Sequence, residues 1–101
     1  MEVTINKTEG VTIVGLAGRL DTPSSLEVSK TLEPVVADAG GKIVLDCKDL
    51  TYISSSGLRI FLTIRKAAAS QGGQVIVKSI NQDIRNVFLM TGFLNLFQTE
   101  E

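Results

Sequence analysis

Three consecutive serines, Ser54 to Ser56, form the part of the sequence best suited to regulated chemistry. They follow an apolar run that begins at Lys42, and they precede Gly57 and a long amphipathic segment. This order predicts that the serines start a helix, where free backbone N–H groups and the positive end of the helix dipole favour added negative charge. A serine hydroxyl in this position can accept a phosphate, or it can serve only as a helix cap.

The composition limits the chemistry that the chain can perform. It has 101 residues, with 10 basic and 11 acidic side chains, a net charge of -1 and no histidine. Without a basic surface it is poorly suited to direct nucleic-acid binding. With no histidine and with Cys47 as its one cysteine, it lacks the groups for His-based acid/base catalysis, Cys/His nucleophilic pairs and the usual zinc sites. We therefore expect no enzyme activity, no metal and no cofactor.

Size and cysteine usage bear on domain count and location. A chain of this length can form one hydrophobic core, so one domain is expected over residues 1–101. No apolar run approaches the ~20 residues of a membrane span, and no charged-then-apolar leader opens the sequence. A lone cysteine fits a reducing compartment. We expect a cytoplasmic protein without membrane insertion.

Several residues have a structural and a functional interpretation. Cys47 is expected to be a small packed residue rather than a redox sensor. Asp46 and Asp49 could form a carboxylate pair, but no set of metal ligands surrounds them, so a role in structuring a loop is favoured. Asp21 is either a turn or cap residue or a contact for a partner.

The elements that position these residues begin with a predicted β-hairpin. Alternating apolar residues on both sides of a turn at Lys7–Gly10 indicate two strands, and residues 18–21 are expected to leave the sheet. Ser24 and Glu27 form a capping-box pair, which predicts a helix over about 24–38.

Pro34 lies inside that predicted helix and removes one backbone hydrogen bond, so we expect a kink or break near Glu33. Gly40-Gly41 ends the helix. The short apolar run Lys42–Cys47 then predicts a strand in the centre of the sheet, covered on both faces.

The segment 57–71 predicts an amphipathic helix that ends at Gly72-Gly73. Between its core face and its polar face lies an apolar flank of Leu58, Leu62 and Ala69, which is either covered by another helix or exposed for a partner. The residues predicted to face the core are Ile60, Phe61, Ile64, Ala67 and Ala68.

The remaining segment predicts one more strand and one more helix. Val75–Val77 forms the strand, and Asn81 is expected to cap a helix that ends at Gly92. Residues 93–97 predict a short edge strand or a packed tail, and residues 99–101 are expected to fray.

Strands that alternate with helices after a hairpin predict a mixed sheet with crossover helices between parallel strands. If the second and third strands are parallel, the loops at 18–24 and 50–56 lie at the same edge of the sheet. They can then form one surface.

Four motifs occur in a fixed order along the chain: G-R-L-D at 18–21, K-I-V-L-D-C-K-D-L-T-Y-I-S-S-S-G-L-R at 42–59, G-G-Q-V-I-V at 72–77 and N-V-F-L-M-T-G-F at 86–93. Through these motifs the sequence resembles STAS domains over nearly its whole length, and in particular anti-sigma factor antagonists. The resemblance implies an α/β fold: a single STAS-type domain whose four- or five-stranded mixed β-sheet is packed with α-helices.

The resemblance also implies a function. In such proteins the unphosphorylated form binds an anti-sigma factor that is a serine kinase, which frees the sigma factor, and a serine phosphatase acts on the phosphorylated form. The family pattern D-S-[ST]-G places Ser55 at the phosphate acceptor, between Ser54 at the Asp position and Ser56, with Gly57 as the glycine. Ser54 departs from the pattern, because it can cap the helix but lacks a carboxylate for recognition by the kinase.

The resemblance and the apolar flank together give a set of expected partner-binding residues. The expected partner contacts are Asp21, Ser54, Ser56, Gly57, Leu58 and Leu62.

Two other functions stay open: a constitutive STAS subunit, for example the partner of an ABC-type lipid transporter ATPase, and a small enzyme or nucleotide-binding protein. The small enzyme or nucleotide-binding protein is least favoured, because the sequence has no Walker-type phosphate loop and no evident general base.

Overall fold

The computed structural model describes residues 1–101 and shows a five-stranded mixed sheet with four α-helices. The strands are β1 Glu2–Thr8, β2 Val11–Leu20, β3 Lys42–Ile53, β4 Gln74–Lys78 and β5 Gln98–Glu100. The helices are α1 Thr22–Thr31, α2 Glu33–Ala37, α3 Ser55–Gln71 and α4 Gln82–Thr91, followed by a 3-10 turn at Phe93–Asn95. The strand order is β1-β2-β3-β4-β5, with β1 antiparallel to β2 and all other pairs parallel. The mixed sheet and the central position of β3 are therefore confirmed.

All four helices lie on one face of this sheet. Each crossover from β2 to β5 connects neighbouring parallel strands in the same direction, and the right-handed rule then places every helix on the same side. In β3, Ile43 and Leu45 are buried in the main core, whereas Val44 between them points to the other face and is half-buried. The expectation that this strand is covered on both faces was wrong, because the sequence of one strand does not reveal where the helices lie.

Helix α3 forms the centre of the core. Phe61 and Ile64 are fully buried, and Ala68 is 1% exposed, which confirms the predicted stripe. Phe61 makes edge-to-face contacts with Phe88 of α4 and with Phe97, at 6.2 Å between ring centroids in each pair. These aromatic contacts join α3 to α4 and to the segment before β5.

The start of α1 differs from the sequence-based prediction. Strand β2 continues to Leu20, so residues 18–20 do not leave the sheet. The N-cap is Asp21 rather than Ser24, and Ser24 completes the capping box as the third helical residue. Both residue types cap helices well, and only the end of β2 decides which of them is used. The break near Glu33 is confirmed, since α1 ends at Thr31 and α2 begins at Glu33.

Strand β3 is longer than predicted because it runs through a polar stretch. It extends to Ile53, so residues 50–53 belong to the sheet rather than to a loop. The register with β2 shifts at two places, between Gly15 and Ala17 and again between Gly18 and Arg19, and each shift inserts an extra residue into β3 as in a β-bulge. Asp46 Oδ1 accepts a hydrogen bond from Lys48 N at 3.1 Å inside the first irregularity.

Cys47 lies at the same irregularity and is fully buried, as predicted for a packed residue. Burial, and secondarily the charge of Asp46, raises the pKa of the Cys47 thiol to about 12. The thiol is therefore protonated at neutral pH and behaves as a small apolar side chain.

The C-terminal segment is better ordered than predicted. Asn81 caps α4 and Gly92 ends it with φ of 80°, both as expected. Residues 93–97 form a 3-10 turn and a packed tail in which Phe93 and Phe97 are buried. Gln98–Glu100 then pairs in parallel with β4, so the prediction that residues 99–101 fray was wrong for residues 99 and 100.

Candidate functional site

Three helices begin at one edge of the sheet, which we name the capped edge after its cap residues Asp21, Ser54 and Asn81. They begin there because β2, β3 and β4 are parallel and end on the same side. Hydrogen bonds join the cap residues to the ends of the neighbouring strands: Ser54 N donates to Leu20 O of β2 at 2.8 Å, and Asn81 Nδ2 donates to Leu50 O of β3 at 2.9 Å. The expectation that the loops after β2 and β3 form one surface is confirmed.

The serine run lies at the start of α3, as predicted. Ser54 is the N-cap, and its Oγ accepts a hydrogen bond from Gly57 N at 3.2 Å. Ser55 is the first helical residue and its side chain is exposed, whereas Ser56 is half-buried. The backbone N–H groups of Ser55 and Ser56 precede the first helical hydrogen bond, and the first turn of α3 contains no acidic side chain. The Ser55 hydroxyl is thus accessible in a place that favours an anion.

The two residues after the serines are buried, which corrects their assignment to an exposed partner surface. A Cβ on Gly57 would lie 2.7 Å from Leu20 Cγ and 2.9 Å from Ile53 Cγ1, so the glycine allows α3 to approach the ends of β2 and β3. Leu58 is only 8% exposed and belongs to the core. Of the predicted apolar flank, Leu62 remains 37% exposed and Ala69 is exposed.

Asp21 lies beside the serines and has a clear structural role. Its Oδ1 accepts hydrogen bonds from Ser24 N at 3.0 Å and from Ser24 Oγ at 2.9 Å. These hydrogen bonds, and more weakly the charge of Arg19, hold the pKa of the Asp21 carboxyl below its usual value. Asp21 is therefore a carboxylate at neutral pH, held in place as the cap of α1.

Two residues at the capped edge were not identified from the sequence. Arg19 and Tyr52 are register partners on β2 and β3, and the Arg19 guanidinium carbon lies 4.3 Å from the centroid of the Tyr52 ring. Arg19 Nε is also 3.9 Å from Asp21 Oδ2, and the Tyr52 side chain is 41% exposed. The sequence does not reveal this contact, because the pairing of Arg19 with Tyr52 depends on the register shifts in β3.

A groove of about 240 Å³ runs between α1 and α3 beside the serine run. Ser56 and Arg59 line its α3 side, and Leu26, which is 73% exposed, lines its α1 side. The capped edge therefore offers a hydroxyl, a cation and an apolar side chain on one continuous surface. These groups suit protein recognition, in which a few apolar and charged anchors determine affinity.

The structure contains no cluster of three or more histidine, cysteine, aspartate or glutamate side chains that could hold a metal ion. None of the helices combines the length and the apolar character needed to cross a membrane.

The chain belongs to the STAS domain family, whose model matches residues 2–101. Its mixed sheet with helices on one face, and the serine at the start of the helix that follows the central strand, agree with this assignment. The Bordetella bronchiseptica protein BtrV is 31% identical over 97 residues, covering 96% of this chain and 84% of BtrV. The anti-sigma-B factor antagonist of Bacillus subtilis is 26% identical over 96 residues, covering 95% of this chain and 87% of that protein. The Bacillus cell fate determinant SpoIIAA in its phosphorylated form has the same fold, with a TM-score of 0.76 at 18% identity over 99% of this chain and 91% of SpoIIAA.

Proposed function

We propose that this chain is an anti-sigma factor antagonist that works by binding and not by catalysis. In its unphosphorylated form it binds an anti-sigma factor with serine kinase activity, and this binding releases the sigma factor. The observation that carries the proposal is the exposed Ser55 hydroxyl at the start of α3, at the acceptor position of the family pattern. The names of relatives such as the Bacillus subtilis anti-sigma-B factor antagonist support it.

Phosphorylation of Ser55 ends the interaction in this proposal, and a serine phosphatase restores it. The helix start tolerates the modification, because free N–H groups and the helix dipole stabilise the phosphate. The residues on the surface around it that contact the partner are Asp21, Ser54, Ser56 and Leu62. Gly57 and Leu58 act from beneath this surface, since both are buried and support the position of α3. The exchange takes place in the cytoplasm, where the sigma factor acts.

Sigma release tests this function directly. Purified chain is added to a preformed complex of the anti-sigma factor and its sigma factor, and the free sigma factor is measured by size-exclusion chromatography. We expect stoichiometric release without ATP, and less release after the chain has been incubated with the kinase and ATP. Binding to the anti-sigma factor without any release of sigma would contradict the proposal and favour a constitutive scaffold.

Leu62→Lys separates partner contact from folding. Because Leu62 is 37% exposed, the substitution should change the free energy of unfolding by less than about 1 kcal/mol. A lysine in an apolar contact would nevertheless weaken binding to the anti-sigma factor by about tenfold, as measured by isothermal titration calorimetry. Leu89→Lys is the control, since Leu89 is also an exposed leucine in a helix but lies on α4. If both variants lose the same affinity for the anti-sigma factor, the assignment of Leu62 to the partner surface is wrong.

A further inference from the structure

The face of the sheet opposite the helices, which we name the open face, carries none of the four α-helices. Four of its five strands, β2 to β5, are parallel. Parallel sheets occur almost only where both faces are covered, because their strands are rich in apolar residues on each side. The open face therefore departs from the usual behaviour of such sheets.

Apolar residues form a row across the middle of the open face. Ile13, Val44 and Ile76 are aligned in register on β2, β3 and β4. Ile13 is 40% exposed and Val44 is half-buried, while Ile76 is 2% exposed yet lies outside the main core cluster. Asn6 on β1 and Gln98 on β5 flank this row in the same register. The middle row is thus an apolar strip that the chain itself leaves open to solvent at one end.

Charged residues lie on both sides of the middle row. Lys42 precedes Val44 by two residues on β3, and Asp46 follows it by two, so all three side chains point to the open face. The two ion pairs of the chain, Lys7–Asp38 and Arg19–Asp21, do not include Lys42 or Asp46. On β3 the open face therefore presents a cation and an anion, neither of them in an ion pair, on opposite sides of Val44. Lys78 on β4 and Glu100 on β5 lie in register with Asp46.

We propose that the open face binds a second copy of this chain face to face. The two-fold axis of this dimer lies in the plane of the interface and runs along the middle row, across the strands. This axis places β3 antiparallel over β3 of the second copy, so that Val44 faces Val44. Asp46 then lies over Lys42 of the second copy, and Lys42 lies over its Asp46. A two-fold interface requires a self-complementary patch, and the spacing Lys42, Val44, Asp46 provides one.

The size and position of the interface define what kind of dimer it is. Five strands spaced about 4.8 Å apart, paired over about six residues, give a face of about 500 Å² per copy, below the ~800 Å² of a standard interface. The dimer is therefore weak and concentration-dependent.

The capped edge lies outside this interface, because β3 continues from Asp46 to Ile53 past the rows that overlap. Each copy keeps its Ser55 surface free, so this inference does not depend on the proposed function.

A charge swap tests the dimer by sedimentation equilibrium across the micromolar range. Lys42→Glu and Asp46→Lys should each raise the dissociation constant by at least about tenfold, since each places two like-charged pairs across the two-fold axis. The double variant restores opposite charges in every pair, so its dissociation constant should return to within about threefold of the wild-type value. Lys66→Glu, an exposed position on α3, is the control and should leave the dimer unchanged.

Ile13→Lys provides a second test that does not rely on charge pairing. Ile13 lies on the axis, so the substitution brings two lysines together and should give a monomer at all concentrations, with an unchanged circular dichroism spectrum. A wild-type chain that is monomeric across the range would overturn the proposal. So would a double charge variant as weak as the single variants, or an Ile13→Lys protein that still dimerises.

Discussion

Phe61→Ala is expected to lower the free energy of unfolding by about 3 to 5 kcal/mol, a large part of the roughly 5 to 15 kcal/mol of a typical domain. The side chain is fully buried, and its ring meets Phe88 at an interplanar angle of 88° and Phe97 at 71°. The substitution removes both edge-to-face contacts and leaves a cavity between α3, α4 and the tail. Urea unfolding followed by circular dichroism should show a lower midpoint with an unchanged slope.

Leu62→Ala is the matched control for this prediction, because it shortens the neighbouring side chain on the same helix. Leu62 is 37% exposed, so its loss should cost less than about 1 kcal/mol. An unfolding midpoint that Phe61→Ala leaves unchanged would mean that the buried stripe of α3 is misplaced. Equal shifts in the two variants would mean that burial of the Phe61 ring does not determine the result, because alanine favours the helix at both positions.

Features governed by local signals could be predicted from the sequence. Ser54 and Asn81 cap the helices that follow them, because a serine or asparagine side chain accepts a hydrogen bond from a backbone N–H three residues later. Gly72 ends α3 with φ of 81°, a conformation that favours glycine. These short-range rules and the family pattern were sufficient to predict that Ser55 lies at the start of a helix.

Features that depend on pairing between distant segments could not be predicted. Residues 46–49 break the alternation of β3, so the sequence suggested a loop, whereas pairing with β2 continues the strand through the bulge. The contact between Arg19 and Tyr52 follows from that register. Similarly, residues 98–100 carry little local strand preference, and only the exposed edge of β4 orders them.

Leu58 shows that helical periodicity does not predict how much of the helix surface is buried. The sequence gives the direction of the core face of α3, but not the width of the buried arc. Because α1 and α2 also pack against α3, that arc is wide enough to include Leu58 and leaves Leu62 at its border. We therefore propose that the partner surface consists of exposed neighbours of Ser55 and does not include both leucines.

Phosphorylation of Ser55 is expected to reduce affinity for the anti-sigma factor by about a hundredfold or more, while the fold stays intact. A phosphate adds about -1.5 to -2 charges beside the start of α3, where the helix dipole stabilises it within the chain. In the complex the same dianion would enter a desolvated contact, at a cost of several kcal/mol if no cation meets it. Since each 1.4 kcal/mol is about tenfold in affinity, the loss appears at the interface and not in the stability of the domain.

The variants at the serine run distinguish this switch from a constitutive contact. Ser55→Asp should reproduce part of the loss of affinity, because it carries a single charge, and Ser55→Ala should bind at full strength and resist the kinase. Ser56→Ala is the matched control: Ser56 is half-buried, so the variant should accept phosphate at the wild-type rate. Thermal unfolding of the phosphorylated chain should show equal or slightly higher stability, which assigns the loss of binding to the partner surface. If the kinase labels Ser55→Ala as well as wild type, or if the phosphorylated chain keeps its affinity, the acceptor is not Ser55 and the constitutive STAS subunit becomes the better description.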